Sequence, residues 1–167
     1  VDDQLVDQYL AVRQMGENYQ VTTSKDFTDD CLWQVMVTFG LSGTQTLTGN
    51  VLRLRYGSML TGSFMLRHKT SGLYLYTNSL EKNSTQPTHT QILAKTPFFN
   101  TSIKRFDNQS SYEWFADDMI TNQPQTFFQQ NTRVKLISKE SKNVLFFSLS
   151  NKPADLVELS GKPSTSS

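Results

Sequence analysis

Residues 62–78, GSFMLRHKTSGLYLYTN, read as two short strands around a tight turn. Phe64 and Leu66 alternate with polar neighbours, Ser71-Gly72 supplies the break, and Leu73-Tyr74-Leu75-Tyr76 resumes the strand. Shifted by seventy residues, FMLRHKTSGLYLYT falls without a gap on VKLISKESKNVLFF. Leu66 meets Leu136, Lys69 meets Lys139, Ser71 meets Ser141, Leu75 meets Leu145 and Tyr76 meets Phe146. A poorer third copy lies upstream, where Tyr9-Leu10 takes the place of Tyr74-Leu75. Downstream of two copies come strands carrying tryptophan, CLWQV with Trp33 and YEWFA with Trp114.

Working outward, short β-type runs recur along the whole chain: QYLAVRQ, NYQVTTS, CLWQVMVTF, VLRLRY, SFMLRHK, LYLYTN, TQILAK, YEWFA, RVKLIS, VLFFSLS and DLVELSG. Clusters of Gly, Asn, Ser, Asp and Pro separate them, and no window sustains a capped helical period. The expected fold is all-β, a β-trefoil of three pseudo-repeats at about 1–50, 51–120 and 121–160. Each unit has an apolar face too small to bury alone, and three units around a pseudo-threefold axis bury one another. Residues 1–160 form one domain in this reading, with 161–167 a disordered tail or linker. Segments 79–89 and 96–110, rich in Asn, Ser, Thr and Pro, read as surface loops. In this register the opening strand of the first unit precedes Val1, and the tryptophan-bearing strand of the third would follow the C-terminal end. The trefoil is therefore expected to be incomplete at both ends, needing a neighbouring segment or an atypical use of VDDQLV and DLVELSG to close.

The sequence of 167 residues carries a formal net charge of +1, so no global field draws it to nucleic acid. No apolar run approaches the roughly 20 residues that cross a bilayer as a helix. One cysteine, Cys31, excludes an internal disulfide framework and leans towards a reducing compartment. Three acceptor triplets, at Asn83, Asn100 and Asn108, lean the other way, towards glycosylation in the secretory lumen.

The stretch LRYGSMLTGSFMLRHKTSGLYL, 54–75, resembles the core of the MIR module, the β-trefoil of protein O-mannosyltransferases, inositol-trisphosphate receptors and ryanodine receptors. DDCLWQVMV before it and NTRVKLISKESKNVLFFS after it sit where the neighbouring units should. The paired-histidine motif of the luminal members is absent, with Leu75-Tyr76-Thr77-Asn78 in its place, which favours the channel-receptor branch. The resemblance implies a non-catalytic binding and assembly module of a larger, membrane-embedded protein such as an intracellular calcium-release channel, on the cytosolic face of the endoplasmic reticulum. Its partners would be sister domains or subunits, with an inositol phosphate or a glycan as ligand. The alternatives are the luminal accessory domain of a protein O-mannosyltransferase, and a secreted carbohydrate-binding trefoil. Thr22, Thr23, Ser24 and Lys25 match a Thr-Thr-Gly-Arg loop of the inositol-phosphate-binding trefoil. Hydroxyls, backbone N–H groups and a cation suit phosphate oxygens.

The most basic segment holds Arg53, Arg55, Arg67, His68 and Lys69. Arg53, Arg55 and Arg67 are candidates for an anion or partner patch, against the plainer reading of a charged strand face that discourages edge pairing. His68 has no clustered ligand spacing with His89, so no metal is expected. Asp29-Asp30 and Asp117-Asp118 read as turn residues, since adjacent strand residues face opposite sides and cannot share a cleft. Cys31 alternates with Trp33, Val35 and Val37 and reads as a core residue. Trp33 and Trp114 read as core plugs rather than sugar platforms. No phosphate loop or nucleophile elbow is present, and neither an enzyme nor a cofactor is expected.

Overall fold

The computed structural model describes residues 8–38, 51–53, 62–78, 90–100, 102, 105–125, 133–148 and 158–163. The first hairpin is β1 (Tyr9–Met15) and β2 (Asn18–Ser24), joined by a two-residue turn at Gly16-Glu17. A 3-10 turn at Asp29–Cys31 leads into β3 (Trp33–Thr38), then β4 (Val51–Arg53), β5 (Met65–His68), β6 (Tyr74–Thr77) and β7 (Thr90–Lys95). Next come β8 (Phe99–Asn100), β9 (Arg105–Phe106), a single-turn helix α1 (Gln109–Tyr112) and β10 (Trp114–Asp118). The chain ends its described part with β11 (Val134–Ser138), β12 (Asn143–Ser148) and β13 (Glu158–Pro163).

The protein is all-β, as its alternating apolar pattern requires. Its strands form three antiparallel sheets: β1-β2, β8-β9 and a nine-stranded sheet in the order β10-β11-β12-β13-β7-β6-β5-β3-β4. Among the described residues these ladders do not close into a barrel. One isolated bridge nevertheless joins Phe64, just before β5, to Trp114 on the opposite edge strand. Its two backbone bonds, Phe64 N–H to the Trp114 carbonyl and the reverse, measure 2.9 and 2.7 Å.

The two best-matched copies build the same turn, with His68 Nδ1 in one where Ser138 Oγ stands in the other. Gly72 N–H donates to the His68 carbonyl at 2.8 Å, and Lys142 N–H to the Ser138 carbonyl at 2.9 Å. Ser71 N–H donates to His68 Nδ1 and Ser141 N–H to Ser138 Oγ, both at 3.2 Å. Leu73 N–H donates to Ser71 Oγ and Asn143 N–H to Ser141 Oγ, again both at 3.2 Å. Lys69 and Lys139 each tie the turn to the residue before a tryptophan, at Leu32 (2.9 Å) and Glu113 (3.0 Å). Gly72 (φ 76°) and Lys142 (φ 64°) hold the same left-handed position, which is cheap for glycine alone.

The tryptophans recur in the same way. Trp33 pairs across strands with His68, and Trp114 with Ser138. Trp33 Nε1 donates to the Leu10 carbonyl at 2.9 Å, and Trp114 Nε1 to the Leu75 carbonyl at 3.3 Å. Leu10, Leu75 and Leu145 all pack in one core, which also takes the matched pairs Phe64 and Val134, Leu66 and Leu136, and Val21 and Ile92. The second strands of the three hairpins β1-β2, β6-β7 and β12-β13 adjoin one another.

Several sequence expectations need correction. Segment 96–110 is not a plain surface loop: it contains β8, β9 and the start of α1, and buries Phe106. Phe106 and Tyr112 pack with Met65, Tyr74 and Tyr76 as a second core, which is why this polar-looking stretch folds. Cys31 is buried as expected, but from a 3-10 turn capped by Thr28 rather than from the strand. Asp117 and Asp118 belong to β10, and the Asp118 carboxylate closes the following turn by accepting from Ile120 and Thr121 N–H. Strand β13 spans Glu158–Pro163.

Candidate binding site

The residues singled out for anion binding fall in two places. Thr22, Thr23 and Ser24 end β2, in the two-stranded sheet, whereas Arg67 lies on β5 and Arg53 on β4 of the nine-stranded sheet. Arg55 lies outside the described residues. Thr22 is buried, which withdraws its hydroxyl from an external ligand. Thr23 Oγ1 is buried without a hydrogen-bond partner. Its position opposite Leu10 matches that of Ala94 opposite Leu75, so a hydroxyl stands where the other unit has a methyl group. Ser24 Oγ is engaged locally, donating to the Asp26 carbonyl at 2.8 Å and accepting from Asp26 N–H at 3.2 Å. Lys25 is exposed on the turn.

Arg67 is better built. Its Nη1 donates to Gln34 Oε1 at 2.8 Å, and Nη2 lies 3.3 Å from where a Cβ on Gly72 would stand. Gly72 thus serves twice, adopting a positive φ and leaving room for the guanidinium. Arg53 pairs with Met36 on the neighbouring β3.

His68 is 1% exposed and tightly held. Ser71 N–H donates to Nδ1 at 3.2 Å, and Ser71 Oγ stands 2.7 Å from the same nitrogen. Nδ1 is therefore the acceptor, and Nε2–H donates to the Asp30 carbonyl at 2.7 Å. The ring also meets Trp33 edge-on at 5.1 Å. A Ser–His contact of this kind can mark a nucleophile and its base. Here Ser138 and Ser141 build the same turn without an imidazole, which assigns the pair to turn closure. Among the described residues no group of three or more His, Cys, Asp or Glu side chains could hold a metal ion. His89 and Asn83 lie outside the described residues.

One site the sequence did not reveal is the carboxylate of Glu113, 4% exposed. Burial pushes its pKa up, but bonds from Lys139 Nζ (2.7 Å), Gln109 Nε2 (2.6 Å) and Ser63 Oγ (2.8 Å), with the Lys139 charge, hold it below the usual value. Ser110 Oγ donates to Glu140 alongside. These bonds lock α1 and the start of β10 to the β11-β12 turn. Nearby, Tyr112 is pushed up to about 12 by burial and by the neighbouring Tyr76.

The two described acceptor asparagines differ. Asn100 is tied on both sides of its amide, Nδ2 to Asp107 Oδ1 at 3.2 Å and Oδ1 from Ser102 N–H at 2.9 Å. Asn108 is exposed at φ 53° and does not cap α1 with its side chain. No family model matches the chain, and no curated protein matches it.

Proposed function

We propose that the chain is a non-catalytic β-trefoil of the MIR type, a binding and assembly module of a larger protein. The observation that carries this reading is the recurrence of one turn and one tryptophan anchor. The six matched hydrogen bonds around His68–Leu73 and Ser138–Asn143 are joined by two indole-to-leucine bonds that tie each tryptophan strand to its own unit's hairpin. The adjoining strands β2, β7 and β13 are where a threefold axis would pass. Resemblance of 54–75 to the MIR core supplies the family, and a larger parent protein with sister domains supplies the role.

The parent in this reading is a membrane-embedded receptor or calcium-release channel, and the module faces the cytosol at the endoplasmic reticulum. A luminal reading, as the accessory domain of a protein O-mannosyltransferase or as a secreted glycan-binding trefoil, is favoured by one feature, the exposed Asn108, whose side chain makes no capping bond to α1. Glycopeptide mass spectrometry of the native protein decides between them. An unmodified Asn108 keeps the cytosolic assignment, and a glycan there moves the module to the lumen.

A further inference from the structure

The backbone of Trp114 is engaged on both sides. Trp114 pairs with Ser138 on β11, and Lys139 N–H donates to the Glu113 carbonyl. In an antiparallel ladder that pattern turns the Trp114 N–H and C=O away from β11. Phe64 meets them there with its own two backbone bonds. Trp33 stands in the same setting. It pairs with His68 on β5, and Lys69 N–H donates to the Leu32 carbonyl, so the Trp33 N–H and C=O also point away from β5. Among the described residues nothing bonds them, since β4 joins this edge only at Met36, Val37 and Thr38.

The core has the same asymmetry. Leu75 and Trp114 are fully buried, whereas their counterparts in the first unit, Leu10 and Trp33, are half-buried. The middle unit covers its pair with the strand carrying Phe64 and Leu66, and the third unit has Val134 and Leu136 at those positions. In both units two apolar side chains, two residues apart, face the core from one side of the strand. Residues 1–7, VDDQLVD, do not supply that pattern, because no two of them two apart are both apolar.

We propose that the edge of β3 at Trp33 is a strand-addition site for an extended segment of a neighbouring domain or subunit. The added backbone exchanges two bonds with Trp33, and two apolar side chains two residues apart close over Trp33 and Leu10. The proposal rests on the reading of the chain as an assembly module of repeated units, and it names the edge used and the pattern the partner carries.

The probe is the synthetic peptide GSFMLRHK, the sequence of residues 62–69, which holds this place in the middle unit. Titrated into the intact isotope-labelled chain, it is expected to bind saturably, to shift the Trp33 resonances, and to slow exchange of the Trp33 backbone N–H by about tenfold or more. N-methylating the peptide at Phe64 removes one of the two ladder bonds and is expected to weaken binding about fivefold. Phe64→Ser in the peptide is expected to weaken it by about tenfold or more.

Absence of binding at millimolar peptide overturns the proposal. Equal affinity for the N-methylated peptide overturns it too, because side-chain contact alone then accounts for binding. Shifts at Trp114 instead of Trp33 would mean that the peptide exchanges with the native strand rather than adding to an open edge. A Trp33 N–H already protected in the free monomer would assign the edge to the chain's own residues, and protection that grows with chain concentration would assign it to a second copy. Each of these three results also overturns the proposal. All the changes are made in the peptide, so folding of the chain is not at issue. Slow exchange of both indoles with no peptide bound would leave the repeat reading standing and remove the strand-addition site alone.

Discussion

Two connections join equivalent strands by very different routes. From β2 to β3 the chain takes residues 25–32, a 3-10 turn capped by Thr28 with Cys31 tucked beneath. From β7 to β10 it takes residues 96–113, which add β8, β9 and α1. Both deliver a tryptophan to the same anchor, an indole bond to a leucine carbonyl. The short route is therefore sufficient for the shared core, and the long one builds something else. It covers the outer face of β5, β6 and β7 with Phe106 and Tyr112, making a second core, and brings in the Glu113 network. The comparison separates what the repeat needs from what one unit has acquired.

Removing a tryptophan breaks the shared part and should have the largest effect. Trp114 is 0% exposed, and Trp114→Ala is expected to destabilise by about 3–5 kcal/mol in denaturant titration. Trp33, only half-buried, should cost less than Trp114. A loss under about 1 kcal/mol at Trp114 would place it outside the core.

The second core should yield next. Tyr112→Ala is expected to cost about 2–4 kcal/mol while leaving the Trp33 indole bond intact, as measured by unfolding and by indole exchange. Because the folded Tyr112 pKa lies above the unfolded value, its contribution is complete below about pH 10 and is lost as pH rises towards 12. Spectrophotometric titration should show late-ionising tyrosine, from Tyr112 and from Tyr74, whose burial also holds it up, and Tyr112→Phe should remove the latest part.

At the latch, Lys139→Ala should cost about 1–2 kcal/mol, reduced by the 44% exposure of the lysine side chain. Glu113 has the opposite pH sign to Tyr112. Its folded pKa lies below the unfolded value, so its contribution is full above the unfolded pKa and is lost as pH falls through the folded one. Glu113→Gln should flatten the acid limb of a stability–pH curve, and an unchanged limb would remove the latch from the account.

The smallest effects compare the two turns. Lys142→Gly should stabilise by up to about 1 kcal/mol, since Lys142 holds a left-handed φ of 64°. Gly72→Ala should destabilise by about 1–2 kcal/mol, through φ 76° and the Arg67 Nη2 atom 3.3 Å from the added carbon. Equal responses of the two turns would mean they are not the same structure.

The shared core was legible because strands leave a two-residue alternation and repeats leave an offset. Leu66, Leu75, Leu136 and Leu145 declared both, and Trp33 and Trp114 followed from them. The insertion was not legible because its composition is that of a loop. Its signal was the pair Phe106 and Tyr112, apolar side chains in a polar stretch, whose partners Met65, Tyr74 and Tyr76 lie a sheet away. Thr22, Thr23 and Ser24 lie at the end of β2, within the β-type run NYQVTTS, but that Thr22 is buried was not legible in it.

The repeated tryptophan anchor is open to one direct measurement. The chain has two tryptophans, hence two indole N–H resonances in a nitrogen–proton correlation spectrum. With both indoles bonded to leucine carbonyls, at Leu10 and Leu75, both resonances should exchange with deuterium far more slowly than a solvent-exposed indole. An indole of either tryptophan exchanging at the exposed rate would show that the two anchors are not equivalent, and the recurrence on which the fold reading stands would fail.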